Sequence, residues 1–278
     1  MIRILVDSSS DYLREEAAAN HIELIPISIV IGEKTYTDGI DIDRDQFFRL
    51  LTQSKDFPKT TQPSPQAFLD IFRDVKEKGD DLIYISLSSA LSGTYQSAML
   101  AKDMVKYDNI YIVDSLSATY TIKIMADYAC SLCREGLLAK EIVEKLENIK
   151  SKVKVLAALD TLEYLAKGGR LNKGVAAIGD LANIKPIITL TEEGEVGVLN
   201  KAIGRNKAIH HILQHLQEWG VDTDFPMYII YSYGTENCEK FEERLASENY
   251  TLEKRMQIGP TIGTHIGPEA FGVVFVRR

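Results

Sequence analysis

Leu82-Ile83-Tyr84-Ile85-Ser86 runs directly into Leu87-Ser88-Ser89-Ala90-Leu91-Ser92-Gly93-Thr94-Tyr95. The first five residues are an apolar, partly β-branched run that reads as a strand. The serine–glycine turn ends it, and the residues beyond read as a helix through Val105. The same order begins at residues 2–6, an apolar run that stops at Asp7-Ser8-Ser9-Ser10-Asp11 and is followed by a helical pattern to Asn20. It begins again at 110–113, which ends in Asp114-Ser115-Leu116-Ser117. Strands alternating with helices predict a parallel sheet with helices on its faces. In such a sheet the strand-ending loops share the carboxyl edge, where ligands bind. Hydroxyls from loops 7–11, 86–94 and 114–119 would therefore converge.

Outward from this unit, residues 22–31 read as one strand and 43–52 as a short helix. Residues 57–65 read as a loop, in which Ser64 caps a helix with Pro65 at its first position. One long helical region spans 119–149. Strand signals follow at 153–157, 184–190 and 196–199, the last two around the turn Glu193-Gly194. Residues 205–219 read as a helix, as does a segment from Glu236, and 227–231, 250–256 and 272–276 read as strands. The expectation is two α/β domains. Residues 1–150 form one, with a parallel sheet flanked by helices, and 151–278 form the other, with a mixed sheet and helices.

The 278 residues are 45% hydrophobic and 26% charged, as in an ordinary globular protein. A net charge of −8 argues against nucleic acid as a partner. The N-terminus lacks the apolar run of a signal peptide, and no stretch approaches the roughly 20 apolar residues of a spanning helix. Three cysteines fit a reducing compartment, so a cytoplasmic protein without stable membrane insertion is expected. Cys130 and Cys133 form C-x-x-C inside a helical pattern, which favours buried thiols on one face over a redox pair or a zinc site.

Chemistry-bearing residues are sparse. Near the C-terminus Gly259, Gly263 and Gly267 recur every fourth residue, with His265 and two threonines among them. Pro260 and Pro268 rule out one unbroken helix, so this stretch reads as a loop where backbone approaches something closely. His265 is a candidate ligand contact. The turn Ser92-Gly93-Thr94 serves equally as a plain helix cap or as an anion site at a helix start. Lys59-Thr60-Thr61-Gln62 supplies further hydroxyls and an amide. Lys167-Gly168-Gly169-Arg170 reads as a helix end with complementary cations, or as an anion contact. Asp41, Asp43 and Asp45 have calcium-loop spacing, but Gln46 and Thr52 stand where glycine and glutamate are required, which leaves helix N-terminal acids. His211 and His215 lack the glutamate of a metalloprotease helix. There is no phosphate-binding Walker loop, no G-x-G-x-x-G and no nucleophile elbow.

Together, Val6–Asp11, Lys59-Thr60-Thr61-Gln62-Pro63-Ser64, 87–95, 164–170 and 258–272 resemble, in order and over nearly the whole chain, the DegV family of bacterial fatty-acid-binding proteins. One branch of that family consists of binding subunits of a fatty acid kinase. The resemblance implies a two-domain α/β protein that holds one long-chain fatty acid, such as palmitate or oleate, with its carboxylate between the domains. It implies Thr61 and Ser92, with Thr60 and Gly93 beside them, as carboxylate contacts, and His265 next to them. It places Arg170 and Arg205 near the ligand head or on a partner surface. The partner implied is a fatty acid kinase catalytic subunit that forms the acyl phosphate, and no cofactor or catalytic residue is expected. Two positions depart from the family pattern: Thr61 replaces the usual serine, and Ile203 stands where many members carry arginine. The physical reading agrees, since an acyl chain needs an apolar tunnel worth about 0.8 kcal/mol per buried CH₂ and its carboxylate needs donors. The competing readings are a stand-alone lipid-directed hydrolase or phosphotransferase, and a regulatory module for a different small anion.

Overall fold

A computed structural model describes residues 1–54, 56–171 and 183–278. In chain order its first half contains β1 (Ile2–Asp7), a 3₁₀ turn (Ser8–Ser10), α1 (Arg14–Ala19), β2 (Ile22–Ile25), β3 (Ser28–Ile31) and β4 (Lys34–Thr37). There follow α2 (Arg44–Gln53), β5 (Lys59–Thr61), α3 (Pro65–Lys78), β6 (Asp81–Ser86), α4 (Thr94–Val105), β7 (Ile110–Asp114), α5 (Tyr120–Arg134) and α6 (Ala139–Ile149). The second half contains β8 (Val153–Ala158), α7 (Glu163–Lys167), β9 (Ile184–Leu190), β10 (Val196–Ile203), α8 (Arg205–Trp219) and β11 (Tyr228–Tyr231). It ends with α9 (Glu236–Ser247), β12 (Lys254–Gln257), α10 (Pro260–Ile266) and β13 (Phe271–Val276).

The expected parallel sheet is present, in the order β2-β1-β6-β7. Its strands are apolar on both faces because both faces are covered. Leu5, Leu82 and Tyr84 point toward α3 and α4, packing with Phe68, Phe72 and Ala98. Ile4, Val6, Ile83 and Ile85 point the other way, toward Ile122, Met125 and Ile142 of α5 and α6. The mixed sheet runs β10-β9-β8-β13-β11-β12, with only β11 and β12 parallel to each other. On one face Leu156, Val273 and Phe275 pack on α8 and α9 through Ile212, Leu213 and Phe241. On the other face Val155, Ala157, Ile188 and Ile230 join the same core as α5. The inner layer is thus shared by the two sheets.

Four local readings change. Residues 22–31 are two strands in different sheets: Pro26 lacks an N–H for the ladder, and the Ile27 N–H is taken by Ser8 Oγ at 3.0 Å. β3 instead joins a small antiparallel sheet, β4-β3-β5, so Lys59–Thr61 is a strand rather than a loop. The 119–149 region is two helices, parted at Gly136 with φ +86°. Residues 260–266, read as loop, are the short helix α10, with Pro260 in its first turn and Gly267 closing it at φ +74°. Proline is tolerated there because a first-turn N–H has no intrahelical partner. The acid reading of 41–45 holds: Asp43 caps α2, accepting from Gln46 N, while the Gln46 side chain accepts from Asp43 N.

Candidate functional site

Between the two sheets lies a cavity of about 930 Å³, counted out to its mouth. Its wall is mainly aliphatic: Leu87 and Leu91 from the parallel-sheet side, Val155, Ile188 and Ile230 from the mixed sheet, and Ile262 and Ile266 from α10. Thr60, Gln62, Ser92, Arg170 and His265 add polar groups to the same wall. An apolar pocket with a few polar groups is the usual form of a small-molecule site.

β5 pairs antiparallel with β3, Thr60 opposite Ile29. Side chains alternate along a strand, so Thr60 turns inward while Lys59 and Thr61 are exposed. Of the two threonines, Thr60 reaches the cavity and Thr61 does not. Thr60 Oγ1 lies 3.0 Å from His265 Nε2. Burial, and then the positive Arg170, push the His265 pKa down to about 4. The ring is therefore neutral at pH 7 and carries one proton. Nδ1 is buried without a partner. A proton there would have no acceptor, which is the costlier arrangement, so the proton sits on Nε2 and is donated to Thr60. The threonine's own proton is left for the cavity.

The glycines explain how this ring fits. A Cβ on Gly168 would lie 2.4 Å from His265 Nδ1, and one on Gly267 would lie 2.4 Å from the Tyr164 ring. A Cβ on Gly263 would meet Phe48 at 2.7 Å and Phe47 at 2.9 Å. Gly263 and Gly267 thus let α10 pack against α2 and α7, while a Cβ on Gly259 would lie 2.7 Å from Asp11 Oδ1. Gly168 ends α7, so the helix-end reading of 167–170 is also correct.

Ser92 faces the cavity, and its Oγ accepts from Thr94 N at 3.3 Å and lies 2.8 Å from Thr94 Oγ1. Gly93 does not line the cavity; it makes room for a residue that does. A Cβ there would lie 2.2 Å from Gln62 Oε1, and Gln62 Nε2 donates to Ser97 Oγ at 3.0 Å. The N-cap Gly93 has no side chain to offer, and the first N–H of α4 goes instead to Ser92 Oγ. Half-buried Arg170 donates from Nε to Leu91 O at 3.0 Å and from Nη1 to Gly168 O. That clips the serine loop to the end of α7. Among the described residues, no carboxylate forms an ion pair with Arg170. Burial lowers its pKa. Arg205 is elsewhere, paired with Glu269, and Ile203 is 69% exposed.

The three hydroxyl-rich loops meet at the seam in different roles. Loop 87–93 supplies Ser92. From the third loop Thr119 lines the cavity and donates to Asp11 Oδ2 at 2.6 Å. Asp7 is structural, accepting from Leu87 N at 2.9 Å, Tyr84 Oη at 2.8 Å and Ser9 N at 3.0 Å. Asp11 also accepts from Gly259 N at 2.9 Å, and Thr261 donates to Asp38. Burial raises the pKa of Asp11 to about 7 and of Asp38 to about 6, with Arg44 opposing both. The sequence reading named the Gln62 amide and the turn containing Thr94 but singled out neither residue as a contact. Both lay in quoted motifs, and nothing in the order of residues separated them from their neighbours.

The sequence pattern of the DegV family, described as uncharacterised protein, matches residues 1–278. A DegV domain-containing protein of Caldanaerobacter subterraneus subsp. tengcongensis is 37% identical over 279 residues, covering 100% of this chain and 99% of the relative. A solved DegV family protein from Thermus thermophilus, described by its fatty acid binding, superposes with a TM-score of 0.89 at 28% identity, covering 100% of this chain and 99% of that one. A stearic-acid-binding protein from Eubacterium ventriosum superposes with a TM-score of 0.89 at 27% identity, covering 100% of this chain and 98% of the other.

Proposed function

The chain belongs to the DegV family, and on that premise we propose that it binds one long-chain fatty acid, of the palmitate or oleate class, in the cavity between its sheets. The carboxylate meets Thr60, Ser92 and Arg170, with His265 behind Thr60, and the acyl chain lies along the aliphatic wall. The observation that carries this is the half-buried guanidinium of Arg170, beside two hydroxyls at an apolar cavity and without a carboxylate of its own among the described residues. A buried charge is costly until an opposite charge arrives, and about 0.8 kcal/mol per CH₂ adds to the binding of the chain. Similarity to the Thermus and Eubacterium proteins supports the same ligand class.

The protein acts as a carrier in this reading. It presents the acid to a separate fatty acid kinase, and the same donors suit the acyl phosphate product. Three unpaired thiols fit a cytoplasmic setting. No helix among the described residues is long and apolar enough to cross a membrane. The domain boundary falls near residue 150, between α6 and β8. The test is to strip the purified protein of lipid, titrate it with palmitate and oleate, and then add ATP and magnesium with and without the kinase. One fatty acid bound per chain, and acyl phosphate only when the kinase is present, is the expected result. Absence of saturable binding overturns the ligand, and turnover without the kinase overturns the carrier role.

A further inference from the structure

We infer that Thr94, which does not touch the cavity, is a positioning residue that turns the Ser92 hydroxyl into an obligate donor and so makes the head of the pocket select a carboxylate over an alcohol. This rests on the fatty-acid reading above and goes one step further into its chemistry. Thr94 is fully buried at the first position of α4. Its Oγ1 lies 2.8 Å from Ser92 Oγ, and Ser92 Oγ also accepts the Thr94 N–H at 3.3 Å.

Two proton arrangements are open to this hydroxyl pair, and satisfaction of buried groups separates them. If Ser92 donated to Thr94, the Thr94 proton would be buried with no other acceptor among the described residues, which proteins avoid. If Thr94 donates to Ser92, every Thr94 group is satisfied. Ser92 Oγ then accepts twice from Thr94, once from the amide and once from the hydroxyl. Both of its lone pairs are occupied, and its own proton points to the cavity that it lines. The Thr60 hydroxyl is set the same way by His265, whose Nε2 lies 3.0 Å away. Arg170 can only donate. The head of the pocket then offers protons and few lone pairs. A carboxylate accepts them all. A primary alcohol brings a proton of its own, for which neither Ser92 nor Arg170 has a free lone pair.

The experiment compares binding of palmitic acid and hexadecanol to the lipid-free protein and to Thr94→Ser, Thr94→Ala and Thr94→Val. Thr94→Ser and Thr94→Ala differ by one hydroxyl and neither enlarges the side chain, so the pair stays informative if the valine variant folds poorly. Removal of the hydroxyl is expected to lower the acid-to-alcohol affinity ratio about tenfold, the scale of one hydrogen bond to an ion. Thr94→Ser restores the ratio. In a Ser92→Ala background the Thr94 substitutions change nothing further. A ratio unchanged in Thr94→Ala, an equal fall in affinity for acid and alcohol, or additive losses with Ser92→Ala each overturn the role of Thr94. Wild-type protein that takes up neither compound overturns the fatty-acid reading instead.

Discussion

Replacing Thr60 and Thr61, one at a time, by valine separates two residues that differ by one position and by little else. β5 pairs with β3 so that Thr60 faces the cavity and Thr61 faces solvent. Valine keeps the β-branched shape that a strand favours and removes only the hydroxyl. Thr60→Val deletes one donor to the carboxylate, worth about 1.5–3 kcal/mol for a hydrogen bond to a charged group. At about 1.4 kcal/mol per decade this is a loss of roughly 10- to 150-fold in affinity. The same change strips the Nε2 proton of His265 of its acceptor, on a ring whose Nδ1 lone pair already lacks a partner. The lipid-free protein should therefore lose about 1 kcal/mol of stability as well. Thr61→Val, at an exposed position, should stay within about 0.5 kcal/mol in both respects. Equilibrium displacement of a fluorescent fatty acid by palmitate reads the first quantity, and urea unfolding reads the second. Equal losses for the two variants, or a larger loss for Thr61→Val, would refute the strand register as the basis of the site.

Two further outcomes follow from the packing around Gly168 and the burial of Asp11. Gly168→Ala keeps a backbone that alanine adopts readily, at φ −74°, yet puts a Cβ 2.4 Å from His265 Nδ1. The ring must leave Thr60, and palmitate affinity should fall about tenfold, the scale of one hydrogen bond to an ion; unchanged affinity in the displacement assay would show that the ring does not matter. Asp11, raised from its ordinary value of 3.8 to about 7 by burial, keeps in the native protein a proton that the unfolded chain releases. Its contribution to stability is full below pH 3.8 and is lost as pH rises through 7. Asp11→Asn should therefore flatten the decline in urea midpoint between about pH 4 and 7 relative to the parent, and parallel pH profiles would remove Asp11 as the cause.

Much of the fold was legible in the order of residues, because the signals involved are local. The apolar runs before Asp7, Ser86 and Asp114, each followed by polar turn residues and a helical period, specify strands between helices wherever the chain goes. Pro65 marked a real helix start, whereas the break at Gly136 was passed over in reading 119–149 as one helical region. The limits appeared where a local pattern met a distant partner. Residues 22–31 are rich in β-branched side chains on both sides of Pro26, and only the competing sheets explain why the two halves part company. The stretch 258–272 announced close backbone approach. It could not announce Phe47, Phe48, Tyr164 and Asp11 as the groups being approached, and without that packing a seven-residue helix has little reason to form.

The candidate site divides along the same line. Hydroxyls, an arginine and a histidine in turn-rich stretches were readable as the polar end of an apolar pocket, since residue type alone sets which chemistry is available. Which of them face the cavity is a matter of register. The inward direction of β5 is set by pairing with β3, a strand some 30 residues earlier in the register Ile29 to Thr60, and a shift of one residue would exchange Thr60 for Thr61. The neutrality of His265 needs burial and the nearby Arg170, and the direction of the Ser92 proton needs a Thr94 hydroxyl enclosed at a helix start. Sequence thus specified the kinds of groups and the sheet edge they share, because those depend on neighbours along the chain. Orientation, protonation and proton direction came from contacts between distant segments, because only burial and pairing in three dimensions set them.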